Sequence, residues 1–501
     1  MLEKMKDMKR NTIVIAFVGF VLAWQGCSGF LTVDIPDSLT KTDYWKSRDH
    51  AKAALTGAYT MLGSNIQTFI YWGGLRSEIY ALWSTTAAPL QFVNQDIRIT
   101  NSLCNWVNVY KGIYWTNSFL KNVHLVLDHD RSFTVAEMEE MMGQAYALRA
   151  LNYFYLVRTF RDVPYHVEPY ESDTQSPHAA AVPEEVVLDS IEMDLERALK
   201  MAPESFDNPY ENYGYITRNA VRALWADVKL WRKKYQECID LCEEVEKAYG
   251  NRLVAPDAWF SMFAPGNSRE SIFEYQYLDE GPNSVVGSLF YGTIAANRSA
   301  YYYNVRKVYP QSGQLETIDT IRAQRTVAVV NGNYGVFKIL GISATNGQFV
   351  QRDETGRNKV NFIFYRYREV LLMKAEALGA LGRYEEAVEP INRIRTAVNM
   401  ETVAPEEMGT GETFMDKIIC EHRAELGYEG KDWFILLRIA RNTGYTELLT
   451  ARISEHSSSS IKEQTLKAYL ENPESWFLPY LDSEVQNNQL LDQKEFYVGK
   501  K

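Results

Sequence analysis

The sequence predicts a mainly α protein, and three observations support this class. Apolar residues recur at the spacing that places one stripe along a helix, as at Val221, Leu224, Trp225 and Val228. Signals for β-strands are few and local. Of the 501 residues, 46% are hydrophobic and 23% are charged, which allows a large core and excludes disorder for most of the chain.

The helical pattern continues along most of the chain. A helix is predicted after Thr217, whose hydroxyl suits an N-cap position. Further helices are predicted at about 137–160, 184–200, 363–381, 414–427 and 431–442. Strand character is limited to 270–278, 327–340 and 347–352. Helices therefore account for most of the predicted structure.

A helix hairpin is repeated within the chain. Four residues recur 149 positions further on, so that Ala226, Tyr235, Glu237 and Ala248 match Ala375, Tyr384, Glu386 and Ala397. Each copy is a helix, a tight turn and a second helix that begins with Tyr, which predicts similar hairpins at 217–249 and 363–398. This shape is typical of tetratricopeptide repeats, in which small residues let paired helices approach closely. The wide spacing favours several such pairs within one larger α domain.

The N-terminus predicts export. Residues 1–10 are rich in Lys, and an apolar run of twelve residues follows at 13–24, which is too short to span a membrane and is typical of a secretory signal. Gly26 before Cys27 resembles a lipoprotein cleavage site, so we expect a signal peptide at 1–26 and lipidation of Cys27. Translation could begin at Met1 or Met8, and a plain signal peptide with an incidental Cys27 remains the alternative.

Composition and motifs argue against several functional classes. The net charge of −11 argues against a nucleic-acid partner. Cys238 and Cys242 have a spacing that could suit a metal, but they fall on an apolar helix stripe, so core packing is the preferred interpretation. No motif for nucleotide binding or nucleophilic catalysis is present. We therefore expect no enzyme activity, no cofactor and no metal.

Two long stretches within the single domain predicted at 27–501 lack a helical stripe, namely 63–108 and 250–360. Both combine aromatic rings, which stack on the apolar faces of sugars, with polar groups that bind hydroxyls. The alternative is that the rings pack beneath their own loops. The candidate ligand contacts are Trp72, Arg76, Glu78, Tyr80, Trp83, Asn94, Tyr291, Tyr301, Tyr302 and Tyr303.

Several motifs, and their order along the chain, resemble those of the SusD/RagB family of outer-membrane lipoproteins. The most telling is residues 144–150 (QAYALRA), followed by Phe160 to Pro164. The others are residues 53–59 (AALTGAY), 114–117 (YWTN), 366–377 (RYREVLLMKAEA), 391–395 (INRIR) and 421–426 (EHRAEL). The resemblance covers nearly the whole chain after Cys27.

The resemblance implies a SusD-like fold of four tetratricopeptide-like helix pairs supporting a loop-rich ligand region. It implies a non-catalytic, lipid-anchored protein of the outer membrane, exposed at the cell surface, that binds glycan and delivers it to a SusC-like TonB-dependent transporter. Alternatives are a peptide-binding protein or a purely structural lid of that transporter. Arg76, Glu78 and Trp83 fall roughly where starch-binding members place their ligand residues, whereas Arg149 and Glu376 correspond to scaffold positions.

Overall fold

The computed structural model describes residues 44–171, 174–176, 178–277, 285–308, 319, 321–330, 332–345, 348–353 and 359–500. The chain divides into two units, Met1–Lys46 and Ser47–Lys501, and all elements below belong to the second. The predicted signal peptide and Cys27 lie outside the described residues. Within the described ranges, no helix has the length and apolar character needed to cross a membrane.

The prediction of a mainly α protein is confirmed. The described helices are α1 Arg48–Ser64, α2 Ile66–Gly74, α3 Ala87–Val93, α4 Val107–Asn122, α5 Val135–Phe160, α6 Glu184–Met201, α7 Glu211–Gly214, α8 Arg218–Trp231, α9 Tyr235–Tyr249, α10 Val285–Gly292, α11 Arg298–Arg306, α12 Arg322–Thr326, α13 Phe337–Leu340, α14 Tyr367–Ala380, α15 Tyr384–Ala397, α16 Pro405–Met408, α17 Gly411–Leu426, α18 Asp432–Thr443, α19 Glu447–His456, α20 Glu463–Leu470 and α21 Asp482–Asn487.

Strands in the described ranges form only two-stranded antiparallel sheets, which pair β1 with β5, β2 with β3, β4 with β10, β6 with β7, and β8 with β9. The strands are β1 Tyr80–Leu82, β2 Val163–Pro164, β3 Ala181–Val182, β4 Ser271–Tyr275, β5 Ile294–Ala296, β6 Val327–Val330, β7 Asn333–Val336, β8 Gly341–Thr345, β9 Gln348–Gln351 and β10 Phe362–Arg366.

The helix pairs α5–α6, α8–α9 and α14–α15 pack side by side, and α9 also packs on α14. The predicted repeat is confirmed at the level of elements, because α8 and α9 are followed 149 residues later by α14 and α15. One boundary differs from the prediction. Residues 363–366, which were predicted to be helical, belong to strand β10, and β10 pairs with β4. Helix α14 therefore begins only at Tyr367.

Local sequence explains how the first hairpin begins and turns. The Thr217 hydroxyl accepts a hydrogen bond from the Ala220 N–H at 3.4 Å, which confirms the predicted N-cap of α8. The α8–α9 turn places Lys233 at φ 60°, and the equivalent position of the α14–α15 turn is Gly382 at φ 75°. Glycine adopts this left-handed conformation freely, whereas lysine is strained there.

The segments between the helix pairs are attached to the scaffold by buried ion pairs. Arg366 contacts Glu425 of α17 at 2.8 Å, and Arg368 contacts Glu270 beside β4 at 2.9 Å. Residues 63–108 are also more regular than predicted, since they contain α2, β1 and α3. Cys238 and Cys242 are buried on α9, as the core interpretation predicted.

Candidate functional site

Most of the predicted ligand contacts are core residues. The structure buries seven of them, namely Trp72, Arg76, Glu78, Tyr80, Asn94, Tyr301 and Tyr302. For this set the structure favours the alternative, in which the side chains pack inside the protein. For Trp72 the physical reason is that residues 69–74 of α2 are all buried, so this part of the helix has no single apolar stripe that would reveal its burial.

Arg76 and Glu78 stabilise the interior. The Arg76 guanidinium donates to the carbonyls of Trp476 at 2.6 Å and Ser475 at 2.7 Å, and it lies 3.9 Å from the centre of the Trp433 ring. Burial lowers the pKa of Arg76 to about 10. The Glu78 carboxylate accepts hydrogen bonds from Arg423 of α17 at 3.1 and 3.2 Å. Both side chains thus connect the segment after α2 to the C-terminal part of the chain.

Asn94 and the aromatic members of this set are also used internally. The Asn94 side-chain oxygen accepts hydrogen bonds from the loop at Ser459 and Ser460, each at 3.0 Å. The Tyr80 hydroxyl donates to Asp432 at 3.0 Å. The Trp72 indole donates to the Leu103 carbonyl at 2.7 Å. The polar atoms of Asn94, Tyr80 and Trp72 have partners inside the protein, so these three side chains do not form a surface for a ligand.

Three predicted residues, Trp83, Tyr291 and Tyr303, do reach the surface. The pairing of β1 with β5 brings Trp83 to the end of α10, where its indole N–H donates to the Phe290 carbonyl at 3.0 Å. Tyr291 is the neighbouring residue and is 38% exposed. The polar atom of Trp83 is thereby satisfied, and the part of its ring that remains accessible presents apolar surface.

Helix α11 is the centre of this surface. Its N-cap is Asn297, whose amide donates to the carbonyls of Glu78 at 3.0 Å and His456 at 2.8 Å. Tyr301 and Asn304 form its buried side, where Asn304 donates to the Glu78 carboxylate at 2.9 Å. The same core contacts that bury the predicted residues therefore hold α11 in one orientation.

The outer side of α11 borders an open cavity of about 470 Å³ lined by Arg298, Ser299, Tyr302, Tyr303, Arg306 and Lys307. The Arg298 guanidinium lies 4.3 Å from the Tyr302 ring centre and 5.1 Å from that of Tyr334 on β7, which is 42% exposed. We call this cavity, with Trp83, Tyr291 and Tyr334, the α11 face.

Basic groups of the α11 face are held against its rings. Lys307 lies 4.5 Å from the Tyr303 ring centre and contacts Asp416 at 3.1 Å. Burial lowers the pKa of Lys307, but hydrogen bonds to Tyr303 and Asp416 outweigh it and leave that pKa above its ordinary value. The Tyr303 ring packs against the His456 ring, with 3.8 Å between ring centres and 35° between the ring planes. The face therefore combines aromatic surface with fixed cationic donors.

Sequence reasoning missed Arg298, Arg306, Lys307 and Tyr334. A signal for Arg298 was present, because Arg298 and Tyr302 are four residues apart and such residues are neighbours on a helix. Tyr334 had no comparable signal, since its exposure depends on how the β6–β7 hairpin lies beside β5. Within the described part of the chain, no group of three or more His, Cys, Asp or Glu is placed to hold a metal ion.

A scaffold of paired helices with an open aromatic face defines a class of helical binding proteins, and comparisons with known proteins give the family. Residues 269–497 match the model described as "SusD family", and residues 36–230 match the model described as "Starch-binding associating with outer membrane". The chain belongs to the SusD/RagB family.

Relatives and solved structures agree with this assignment. Two SusD-like proteins of Formosa agariphila are 24% and 22% identical, over 87% and 85% of this chain and 92% and 90% of their own. A SusD superfamily structure from Bacteroides thetaiotaomicron has a TM-score of 0.73 at 19% identity, covering 90% of this chain and 99% of that one. A structure titled as a laminarin-binding SusD-like protein has a TM-score of 0.67 at 20% identity, covering 90% and 100%. The predicted SusD-like fold is confirmed.

Proposed function

We propose that this protein is a non-catalytic, lipid-anchored protein of the outer membrane that binds glycan at the α11 face and delivers it to a SusC-like TonB-dependent transporter. The observation that supports the binding function most directly is the exposed ring of Tyr334 with the Arg298 guanidinium 5.1 Å from its centre, beside the open cavity. The "starch-binding" family description and the laminarin-binding neighbour favour glycan as the ligand class.

The chemistry of the α11 face suits a sugar. A pyranose ring has apolar C–H faces, which stack on aromatic rings, and polar edges, which accept hydrogen bonds from guanidinium and ammonium groups. Tyr334 provides a ring with the Arg298 guanidinium at its side, and Lys307 provides a further donor in the cavity lining. The cavity is open to solvent, as binding of an extended chain would require. Trp83, Tyr291 and Tyr303 remain proposed contacts from the sequence-based set.

A glycan array on the soluble protein from Ser28 onward identifies the ligand, and calorimetric titration of alanine variants tests the site. Tyr334→Ala should weaken binding by about 1–3 kcal/mol, or roughly 5- to 150-fold, by analogy with aromatic stacking on bases. Its melting temperature should change little, because the ring is substantially exposed. Tyr210→Ala is the matched control, since Tyr210 is more exposed and lies at α7. Equal losses in both variants would contradict the proposal.

A purely structural lid is the second candidate, and one observation favours it. The β8–β9 hairpin exposes three apolar residues, Ile342, Phe349 and Val350, which is typical of a protein-contact surface. Ile342→Glu with Val350→Glu should reduce co-purification with the transporter and leave glycan affinity unchanged. If the wild-type protein co-purifies with the transporter but binds no glycan, the lid function replaces the proposed one.

A further inference from the structure

A second open cleft lies on a different part of the protein from the α11 face. It has a volume of about 680 Å³ and lies between α4, residues 164–170 and α21. Its lining includes Tyr110, Tyr114, His166, Tyr170, Asn487 and Asn488. We call it the α4 cleft. It shares no lining residue with the α11 face.

Aromatic rings of the α4 cleft are fixed by hydrogen bonds from their hydroxyl groups. The Tyr114 hydroxyl donates to the Tyr170 carbonyl at 2.7 Å, and the Tyr110 hydroxyl donates to the Pro164 carbonyl at 2.7 Å. Tyr114 and Tyr170 nevertheless remain 41% and 39% exposed. The Tyr114 hydroxyl holds the cleft wall, so what Tyr114 offers a ligand is ring surface fixed in place.

The cleft continues across α4 into a neighbouring cavity of about 490 Å³, with which it shares Asn117, Tyr165, Val167 and Glu168. Charges in this continuation are paired. Arg149 forms two contacts with Asp194 at 2.7 Å, and Lys121 lies 3.2 Å from Glu168. Along the two cavities the lining holds four basic residues (Lys111, Lys121, Arg149 and Arg197) and three acidic ones (Glu168, Asp194 and Glu484), so the groove is nearly balanced in charge and favours a neutral ligand.

We propose that the α4 cleft is a second glycan-binding site, which takes a neutral oligosaccharide. Three features of the cleft match that chemistry: the exposed rings of Tyr114 and Tyr170, which can stack on sugar faces, the exposed amide of Asn487, which can bind hydroxyls, and the near balance of charge. The α11 face differs, because its cavity lining contains three basic residues and no acid. The assignment of a glycan to the cleft rests on the proposed function, although the two sites are built from separate residues.

Two sites on one protein would bind a polymer more tightly than either alone. Once one stretch of a polysaccharide is held, the second binding event becomes intramolecular and proceeds at a high effective concentration. A short oligosaccharide gains nothing from this effect. Loss of either site should therefore weaken polymer binding far more than it weakens binding of short fragments at the remaining site.

Hydrogen exchange followed by mass spectrometry tests the cleft directly. The full chain in a sugar-free detergent is mixed with 10 mM maltoheptaose or 10 mM laminarihexaose, which are neutral glucose oligomers. We expect slower exchange in residues 107–117 and 164–170 with at least one probe. Slower exchange only in residues 291–307 and 333–336 would overturn the cleft and support the α11 face. Protection of the cleft alone would support the cleft and overturn the α11 face, and protection of neither would overturn both.

Variants separate ring stacking from a structural role. Tyr114→Ala should weaken binding to the cleft at least roughly 5-fold, by analogy with aromatic stacking on bases, whereas Tyr114→Phe should retain most of the affinity because it keeps the ring. Trp115→Ala is the matched control, since Trp115 lies on the same helix at 43% exposure but contacts the α1 side at Gly57. If Tyr114→Ala and Trp115→Ala bind alike, or if Phe is as harmful as Ala, the stacking role is wrong.

Discussion

Glu78 offers the sharpest test of whether the buried residues are structural. Burial raises the pKa of its carboxyl, but Arg423 and then Arg452 outweigh burial and lower that pKa from 4.5 to about 2. Glu78→Gln preserves the shape of the side chain and removes its charge. The Arg423 guanidinium would then keep only the carboxylate of Asp432, at 3.2 Å, as an ionic partner among the described residues.

Two estimates of the free energy of unfolding that Glu78→Gln should lose are similar. A fall in pKa of about 2.5 corresponds to about 3 kcal/mol of stabilisation at neutral pH. Removing one partner of a buried ion pair typically costs about 3–5 kcal/mol. For a domain of about 450 residues, whose unfolding entropy is near 0.9 kcal/mol/K, this lowers the melting temperature by about 3 °C.

The pH dependence follows from the direction of the shift. Because the folded pKa of Glu78 lies below the unfolded value, its stabilisation is present above pH 4.5 and is lost as pH falls through about 2. The difference in melting temperature between wild type and Glu78→Gln should therefore narrow on acidification. Circular dichroism at pH 7 and pH 3 measures it, and calorimetry at 20 °C measures glycan affinity.

The control for this experiment is Glu447→Gln, because Glu447 is an exposed carboxylate paired with Lys467 at 3.0 Å. Such surface pairs contribute about 0–1 kcal/mol, so its melting temperature should match the wild type. We expect Glu78→Gln to melt lower with unchanged affinity. If Glu78→Gln melts at the wild-type temperature but binds glycan tenfold more weakly, the structural role is refuted and Glu78 is a ligand contact.

Three further predictions concern the scaffold, a buried acid and the anchor. Lys233→Gly should raise, and Gly382→Lys should lower, the free energy of unfolding by about 1 kcal/mol, because both positions have positive φ. A change of the same sign in both variants, measured by urea titration, would contradict this. Burial raises the pKa of Glu274 to about 7, so the stability of the wild type falls as pH rises from 4.5 through 7. The free energy of unfolding of Glu274→Gln should therefore gain about 2.5 kcal/mol on that of wild type between pH 5 and pH 8; a difference that does not change with pH would disprove this titration. Cys27→Ala should abolish lipid labelling and release the protein from membranes, whereas retention without label in the wild type would argue against lipidation.

Amphipathic helices were predictable, and residues buried by distant partners were not. The stripe through Val221 and Val228 and the 149-residue repeat located the two hairpins, because those signals are local. The burial of Tyr80 depends on Asp432, which is 352 positions away, and no local pattern records that contact. Sequence therefore predicted the helical framework well and the exposed surface poorly.

The α11 face also shows that local sequence does not predict which side chains are exposed. Tyr302 and Tyr303 are adjacent in the sequence, yet Tyr302 is buried beneath Arg298, whereas Tyr303 packs against His456 and is only partly buried. On a helix, neighbouring residues point about 100° apart, so one aromatic run supplies both core and surface. Which ring is which depends on the orientation of α11, and Asn297 sets that through partners far away in the chain.

The ion pair of Glu78 with Arg423 spans 345 residues, and the bonds of Arg76 to Trp476 and Ser475 span about 400. Contacts of such separation slow folding, because loop closure precedes their benefit. The segment around Glu78 therefore cannot complete its core contacts before the C-terminal helices are in place. The two segments matched by separate family models share one core, because Glu78 and Arg76 lie in the first and their partners Arg423, Ser475 and Trp476 lie in the second.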